Sequence, residues 1–144
     1  MKYKPRNYVV SQIKEDYEKK KGQYDRLVFD YSTQRPEGLW ASKDQSLLIH
    51  SILQGYAIPL VYLVQNGADS FEPIRVLDGK QRLTITYNFI TNGFKLSKAT
   101  PPVRVKVAEV DEFGENIKDE KGVTKTKTVL VEIKNQKFSQ LPEE

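Results

Sequence analysis

The stretch Ile74-Arg75-Val76-Leu77-Asp78-Gly79-Lys80-Gln81-Arg82-Leu83-Thr84 decides how this chain is read. Up to Leu77 its β-branched and apolar residues predict a strand, while Leu83, Tyr87 and Ile90 recur at helical spacing and predict the buried face of a helix over residues 81–91. Asp78 and Gly79 are the turn between them. A glycine here permits positive φ or the close approach of a ligand to the backbone, and the N–H groups of a helix start attract an anion. Phosphate is the anion that this arrangement suggests.

Outward from this turn, the elements alternate. Asn92-Gly93 closes the helix, and Leu60 to Val64 predicts an apolar strand that neighbours Ile74 to Leu77 across the polar loop Gln65 to Glu72. Before that strand, Ser42 with Gln45 reads as a capping box. Ile49, Ile52, Leu53 and Tyr56 give the helix it opens an apolar face, and Gly55 gives its stop. Leu27 to Tyr31 predicts a short strand running into a polar loop that contains Gln34 and Arg35. Upstream, residues 11–21 have helix-forming composition with Ile13 and Tyr17 four apart, so residues 1–26 read as a helical lead-in and 27–144 as the domain proper. Downstream, Val103 to Val107 and Thr124 to Ile133 alternate strictly and are expected to pair as a C-terminal β-hairpin. No internal repeat is expected. Ser139 followed by Leu141-Pro142-Glu143-Glu144 resembles a helix start with no helix after it, which suggests truncation of a longer chain.

The bulk properties fit one α+β unit. A chain of 144 residues is long enough for one core and too short for two of ordinary size. A net charge of +4 tolerates a polyanion without marking a dedicated nucleic-acid stripe. The absence of cysteine excludes disulfides and thiolate chemistry, and the single histidine, His50, argues against a multi-histidine metal centre. No apolar run long enough to span a membrane is present, so a cytoplasmic protein is the default expectation.

The chemistry gathers at the opening stretch. Asp78 suits a divalent cation or a nucleophilic water, Gly79 lets a phosphate come close, Lys80 adds a point charge, and Arg82 can clamp phosphate oxygens. Gln81 offers both a donor and an acceptor. A purely structural account also exists, with Asp78 capping the helix and Arg82 pairing with it. The stretch is not a Walker A loop, because Gly79-Lys80 is followed by Gln81 rather than Ser or Thr. Gln34-Arg35 repeats the Gln-Arg pairing after an earlier strand. A fold that joined the two strand ends would form a cleft suited to a nucleotide with its metal.

Taken together, Gln34-Arg35, Trp40, Leu48 to Gly55, Ile58-Pro59, Val76 to Thr84 and Phe138 to Pro142 resemble the N-terminal domain of the GmrSD-type restriction endonucleases, whose signature is Asp-Gly-Gln-Gln-Arg. The resemblance implies a ParB/sulfiredoxin-like α+β fold, a small mixed sheet with packed helices, and a nucleotide pocket that regulates a separate nuclease domain. Carried over, it gives Asp78, Gln81 and Arg82 as catalytic candidates and Gln34, Arg35, Asp78, Gly79, Gln81 and Arg82 as nucleotide-binding ones, to which Lys80 is added for its point charge. Mg²⁺ would sit at Asp78 with a nucleoside triphosphate. Arg35 and Arg82 would bind phosphates, and Gln34 and Gln81 would orient base, ribose or water. Lys80 departs from the family's glutamine, which keeps a donor, loses an acceptor and puts full hydrolytic competence in question. A weak Mg²⁺-dependent NTPase is therefore the expected activity. The expected partners are a nucleotide and a C-terminal nuclease or effector domain, since nothing in this chain supplies the nuclease motifs. The alternative is a ParB-like module that contacts DNA through Lys106, Lys125 and Lys127, or a scaffold, without catalysis.

Overall fold

The computed structural model describes residues 10–18, 27–29, 40–65 and 74–142. Within them the chain is α+β, as expected, and runs α1 (Val10–Glu18), β1 (Leu27–Phe29), α2 (Ser42–Leu53), β2 (Tyr62–Gln65), β3 (Ile74–Asp78), α3 (Lys80–Ile90), β4 (Val103–Ala108) and β5 (Thr126–Val131), followed by a 3₁₀ turn at Phe138–Gln140. β1, β3 and β2 form a mixed sheet in that order. β3 is its centre, parallel to β1 and antiparallel to β2. β4 and β5 pair antiparallel as a separate ribbon, with Val103 opposite Val131 and Ala108 opposite Thr126.

α3 is the spine. The sequence predicts a single buried stripe along Leu83, Tyr87 and Ile90, but Ile85 and Phe89 are also buried, and Tyr87 and Ile90 are only partly so. The helix is buttressed on two sides. Toward the mixed sheet, Leu83 joins Val76 of β3 and Ile13 of α1, with Val61 and Tyr87 packed around them. Toward the ribbon, Ile85 and Phe89 join Leu48 and Ile49 of α2, Leu96, Val103 and Ile133. One helix thus fixes the mixed sheet and the ribbon at once.

Both long helices end in Schellman motifs, as their glycine signals predict. At α2, Gly55 has φ +66 and its N–H donates to the Ile52 carbonyl at 3.0 Å, while that of Tyr56 donates to Ser51 at 2.9 Å. At α3 the left-handed residue is Asn92, and the Gly93 N–H reaches back to the Asn88 carbonyl.

Several local expectations need correction. Ala41, not Ser42, is the N-cap of α2, and the Gln45 amide donates to the Trp40 carbonyl at 3.0 Å, so the capping box does not form. Leu53 and Tyr56 are exposed; the buried stripe of α2 is Ser46, Leu48 and Ile49. Nor is Ser139 an N-cap; it lies inside the 3₁₀ turn, whose N-cap is Lys137. The Ser139 N–H donates to the Asn92 side chain at 2.9 Å, and Phe138 meets Phe89 edge-on at 5.9 Å. The segment is a latch on the end of α3.

Ser46 is the polar keystone of the ribbon side. Fully buried, its Oγ donates to the Ser42 carbonyl and accepts from the Ser97 N–H, each at 2.8 Å. Alanine there leaves the part-buried Ser97 N–H without its acceptor. We expect Ser46→Ala to lower the unfolding free energy by about 1–3 kcal/mol in urea titrations; a cost near zero would mean that water replaces the hydroxyl.

The sequence also carries a repeat that the periodicity reading overlooks. Residues 109–116 (EVDEFGEN) and 117–124 (IKDEKGVT) share Asp-Glu-x-Gly at an eight-residue offset. Each copy folds into the same tight turn at the end of the β4–β5 ribbon. Asp111 Oδ1 accepts the N–H groups of Phe113 and Glu115, and Asp119 Oδ1 accepts those of Lys121 and Val123. Gly114 and Gly122 take positive φ at matching places. The two turns meet in a ring of backbone bonds in which Glu109 donates to Lys125, Lys125 to Ile117 and Ile117 to Glu109, at 2.8–2.9 Å.

Candidate functional site

β3 delivers the site from the centre of the mixed sheet. One step along β2, from Tyr62 to Leu63, matches two steps along β3, from Asp78 to Val76, so Leu77 is an extra residue in the ladder. Such a bulge bends a strand and re-aims the residues after it. Gly79 then takes φ +95 and ψ +12, and α3 starts at Lys80 with no intervening loop. The turn has no room for a side chain. A Cβ on Gly79 would lie 2.7 Å from a methyl of Val61, so the segment before β2 lies directly on the turn.

Arg82 ties these pieces together. Its Nη2 donates to the Leu60 carbonyl at 2.9 Å and to Asp78 Oδ2 at 3.3 Å. The guanidinium side chain is only 15% exposed, whereas that of Asp78 is 69% exposed. Arg82 Nε is buried with no acceptor. A buried donor left unsatisfied is a cost that calls for an explanation. The structural pairing and the expected site residues therefore coincide: Asp78 does not cap α3, but it does pair with Arg82 across the turn. Lys80 is buried and Gln81 half-buried, and both are engaged in interactions. Two cations, one carboxylate and the positive end of α3 leave the turn net positive.

Beside it, a cleft of about 590 Å³ opens between α2 and the segment that leads into β2. Trp40, Leu47, Ile58 and Pro59 form its apolar wall, and Asp44 and Ser51 its polar one. Pro59 precedes Leu60, whose carbonyl holds Arg82. Trp40 is half-buried against the core and also faces the cleft. Gln34 and Arg35 lie outside the described residues, so their expected union with the turn is a matter for experiment. His50 has a structural task, with its Nε2 bonded at 3.2 Å to the carbonyl of Pro102 at the entry to β4.

Among the described residues, no group of three or more His, Asp or Glu side chains converges on a metal. Asp78 alone suits an ion that takes its other ligands from phosphate and water, as Mg²⁺ does. The basic residues of the ribbon do not form one stripe. Lys106 faces outward beside Thr128, while Lys127 pairs with Val107 on the opposite face. No helix among the described residues is long and apolar enough to cross a membrane.

The sequence reading missed Leu60, Val61 and the burial of Lys80. The first two act on the turn from about 20 residues away, through space, and leave no local pattern. A family model described as "GmrSD restriction endonuclease, N-terminal domain" matches residues 11–144. No curated protein and no solved structure matches the chain.

Proposed function

The chain belongs to the GmrSD restriction endonuclease N-terminal domain family, and from that premise we propose that residues 78–82 form the phosphate site of a nucleotide-binding regulatory module for a nuclease domain. The observation that carries this reading is the glycine turn at φ +95, which joins a bulged strand directly to the N-terminus of α3 with Asp78, Lys80 and Arg82 around it. Backbone N–H groups at such a helix start favour phosphate. In this proposal Arg82 and Lys80 neutralise phosphate charge, with Arg35 as a second guanidinium. Asp78 holds Mg²⁺ or a water, and Gln81 and Gln34 orient water or sugar. The base lies in the neighbouring cleft against Trp40 and Ile58. A bound Mg²⁺ supplies charge neutralisation for weak triphosphate hydrolysis. The proposal takes residues 27–144 as the nucleotide-binding domain and the mixed sheet with α3 as its ParB/sulfiredoxin-like core.

A thermal-shift panel of nucleoside triphosphates with and without Mg²⁺ tests it. Saturation at about 100 times Kd adds about 2.7 kcal/mol to stability, enough to raise the melting temperature by several degrees. No stabilisation by any nucleotide would sink the reading. The DNA-binding alternative draws on Arg104 and Lys106, which share an exposed face of β4. Against it stand the division of the lysines between two faces and the acidic turns at the end of the same ribbon. Binding that falls steeply with added salt in a DNA titration would favour that alternative.

A further inference from the structure

The twin turns allow the demands of the backbone to be separated from those of function. Both copies make the same Asp-centred bonds and place glycine at the same positive φ, yet the residue before each glycine differs: Phe113 in one and Lys121 in the other. Lysine satisfies the turn, so the turn does not require phenylalanine. Phe113 is nevertheless 81% exposed, with Val110 and Val123 more than half exposed on the same pair of turns. A large aromatic side chain held in water on a rigid turn marks a contact surface.

The charge of the ribbon indicates what covers it. Residues 109–124 hold six acidic side chains against two lysines, a net charge of −4 in a chain of +4, so the rest of the chain carries +8. At the other end of the ribbon, the outward face presents Arg104 and Lys106 beside Leu130, which is 68% exposed and lies directly opposite Arg104. The ribbon is therefore acidic with an exposed aromatic at its tip, and basic with an exposed leucine at its base. That surface is complementary to itself when reversed.

We propose that two copies of this chain associate through antiparallel packing of their β4–β5 ribbons, the Phe113 tip of each seated on the Arg104, Lys106 and Leu130 face of the other. The arrangement is two-fold symmetric, so both contacts are equivalent and the assembly closes at two. Acidic and basic groups meet at each end, which sets the register and disfavours parallel pairing.

Sedimentation velocity of the whole chain across the micromolar range tests this, at low and high salt. The expected result is a concentration-dependent dimer weakened by salt. Phe113→Lys installs the residue that the twin turn already carries, so folding is retained, and it should raise the dimer Kd at least about tenfold. Glu112→Lys/Glu115→Lys and Arg104→Glu/Lys106→Glu should each abolish self-association, and an equimolar mixture of the two should restore a dimer. A monomer at every concentration overturns the proposal, as does a dimer unaffected by Phe113→Lys or a mixture that fails to associate.

Discussion

Gly79→Ala lowers the unfolding free energy by about 3 kcal/mol, as measured by urea titration. Two separate causes contribute. A residue with a Cβ at φ +95 is strained whatever surrounds it, at a cost of about 1–2 kcal/mol. The new carbon would also lie 2.7 Å from Val61 Cγ2 and must displace it, an overpacking cost of about 1–3 kcal/mol. A double-mutant cycle separates the two. On a Val61→Ala background the two methyl contacts are gone and only a 3.1 Å contact with the Cβ of residue 61 stays beside the strain, so Gly79→Ala should cost clearly less there, about 1–2 kcal/mol. Equal costs in both backgrounds would mean that Val61 does not press on the turn.

The second large effect distinguishes the two halves of the Asp78–Arg82 pair. Arg82→Ala removes the donor to the Leu60 carbonyl and a mostly buried side chain, so it should lower stability by about 1–3 kcal/mol as well as remove the nucleotide affinity proposed above. Loss of binding in that variant alone would be ambiguous. Asp78→Asn is the cleaner change. The carboxylate is 69% exposed and its ion pair is worth only about 0–1 kcal/mol, so the melting temperature should scarcely move. Affinity for the Mg²⁺–nucleotide complex should nonetheless fall at least about tenfold, or about 1.4 kcal/mol, in calorimetric titrations. Wild-type affinity in Asp78→Asn would reduce Asp78 to a residue of the turn.

Where one side chain or one backbone bond decides the outcome locally, the sequence told the structure well. Strict alternation in β4 and β5 forecast their pairing, because only one face of each strand is apolar enough to meet the core. Gly55 and Asn92-Gly93 forecast the ends of α2 and α3, because Schellman motifs need a left-handed residue at that place. The strand-to-helix turn was legible for the same reason, within one residue of its boundaries.

The features that escaped such reading depend on distant partners. α3 buries two faces because it lies between the mixed sheet and the ribbon, and no single stripe encodes that. Leu53 and Tyr56 sit at helical spacing with the buried residues of α2, yet no described element lies over them. Nothing in the sequence indicated that Lys80 would be 4% exposed. The paired Asp-Glu-x-Gly turns were readable but obscured, because only three of their eight positions agree. Around the candidate site, the Asp78–Arg82 pairing was foreseen as the structural alternative to function. The geometry makes it the support of the turn as well.

The proposed function rests on nucleotide phosphates binding at the start of α3. An amide-resolved NMR titration of the wild-type chain with a Mg²⁺-bound nucleoside triphosphate tests this without altering a residue. Phosphate binding there should give saturable shifts concentrated at the backbone N–H groups of Gly79, Lys80, Gln81 and Arg82, with weaker ones around Trp40 and Ile58. Saturable shifts confined to the outer face of β4–β5, or none at all, would contradict it.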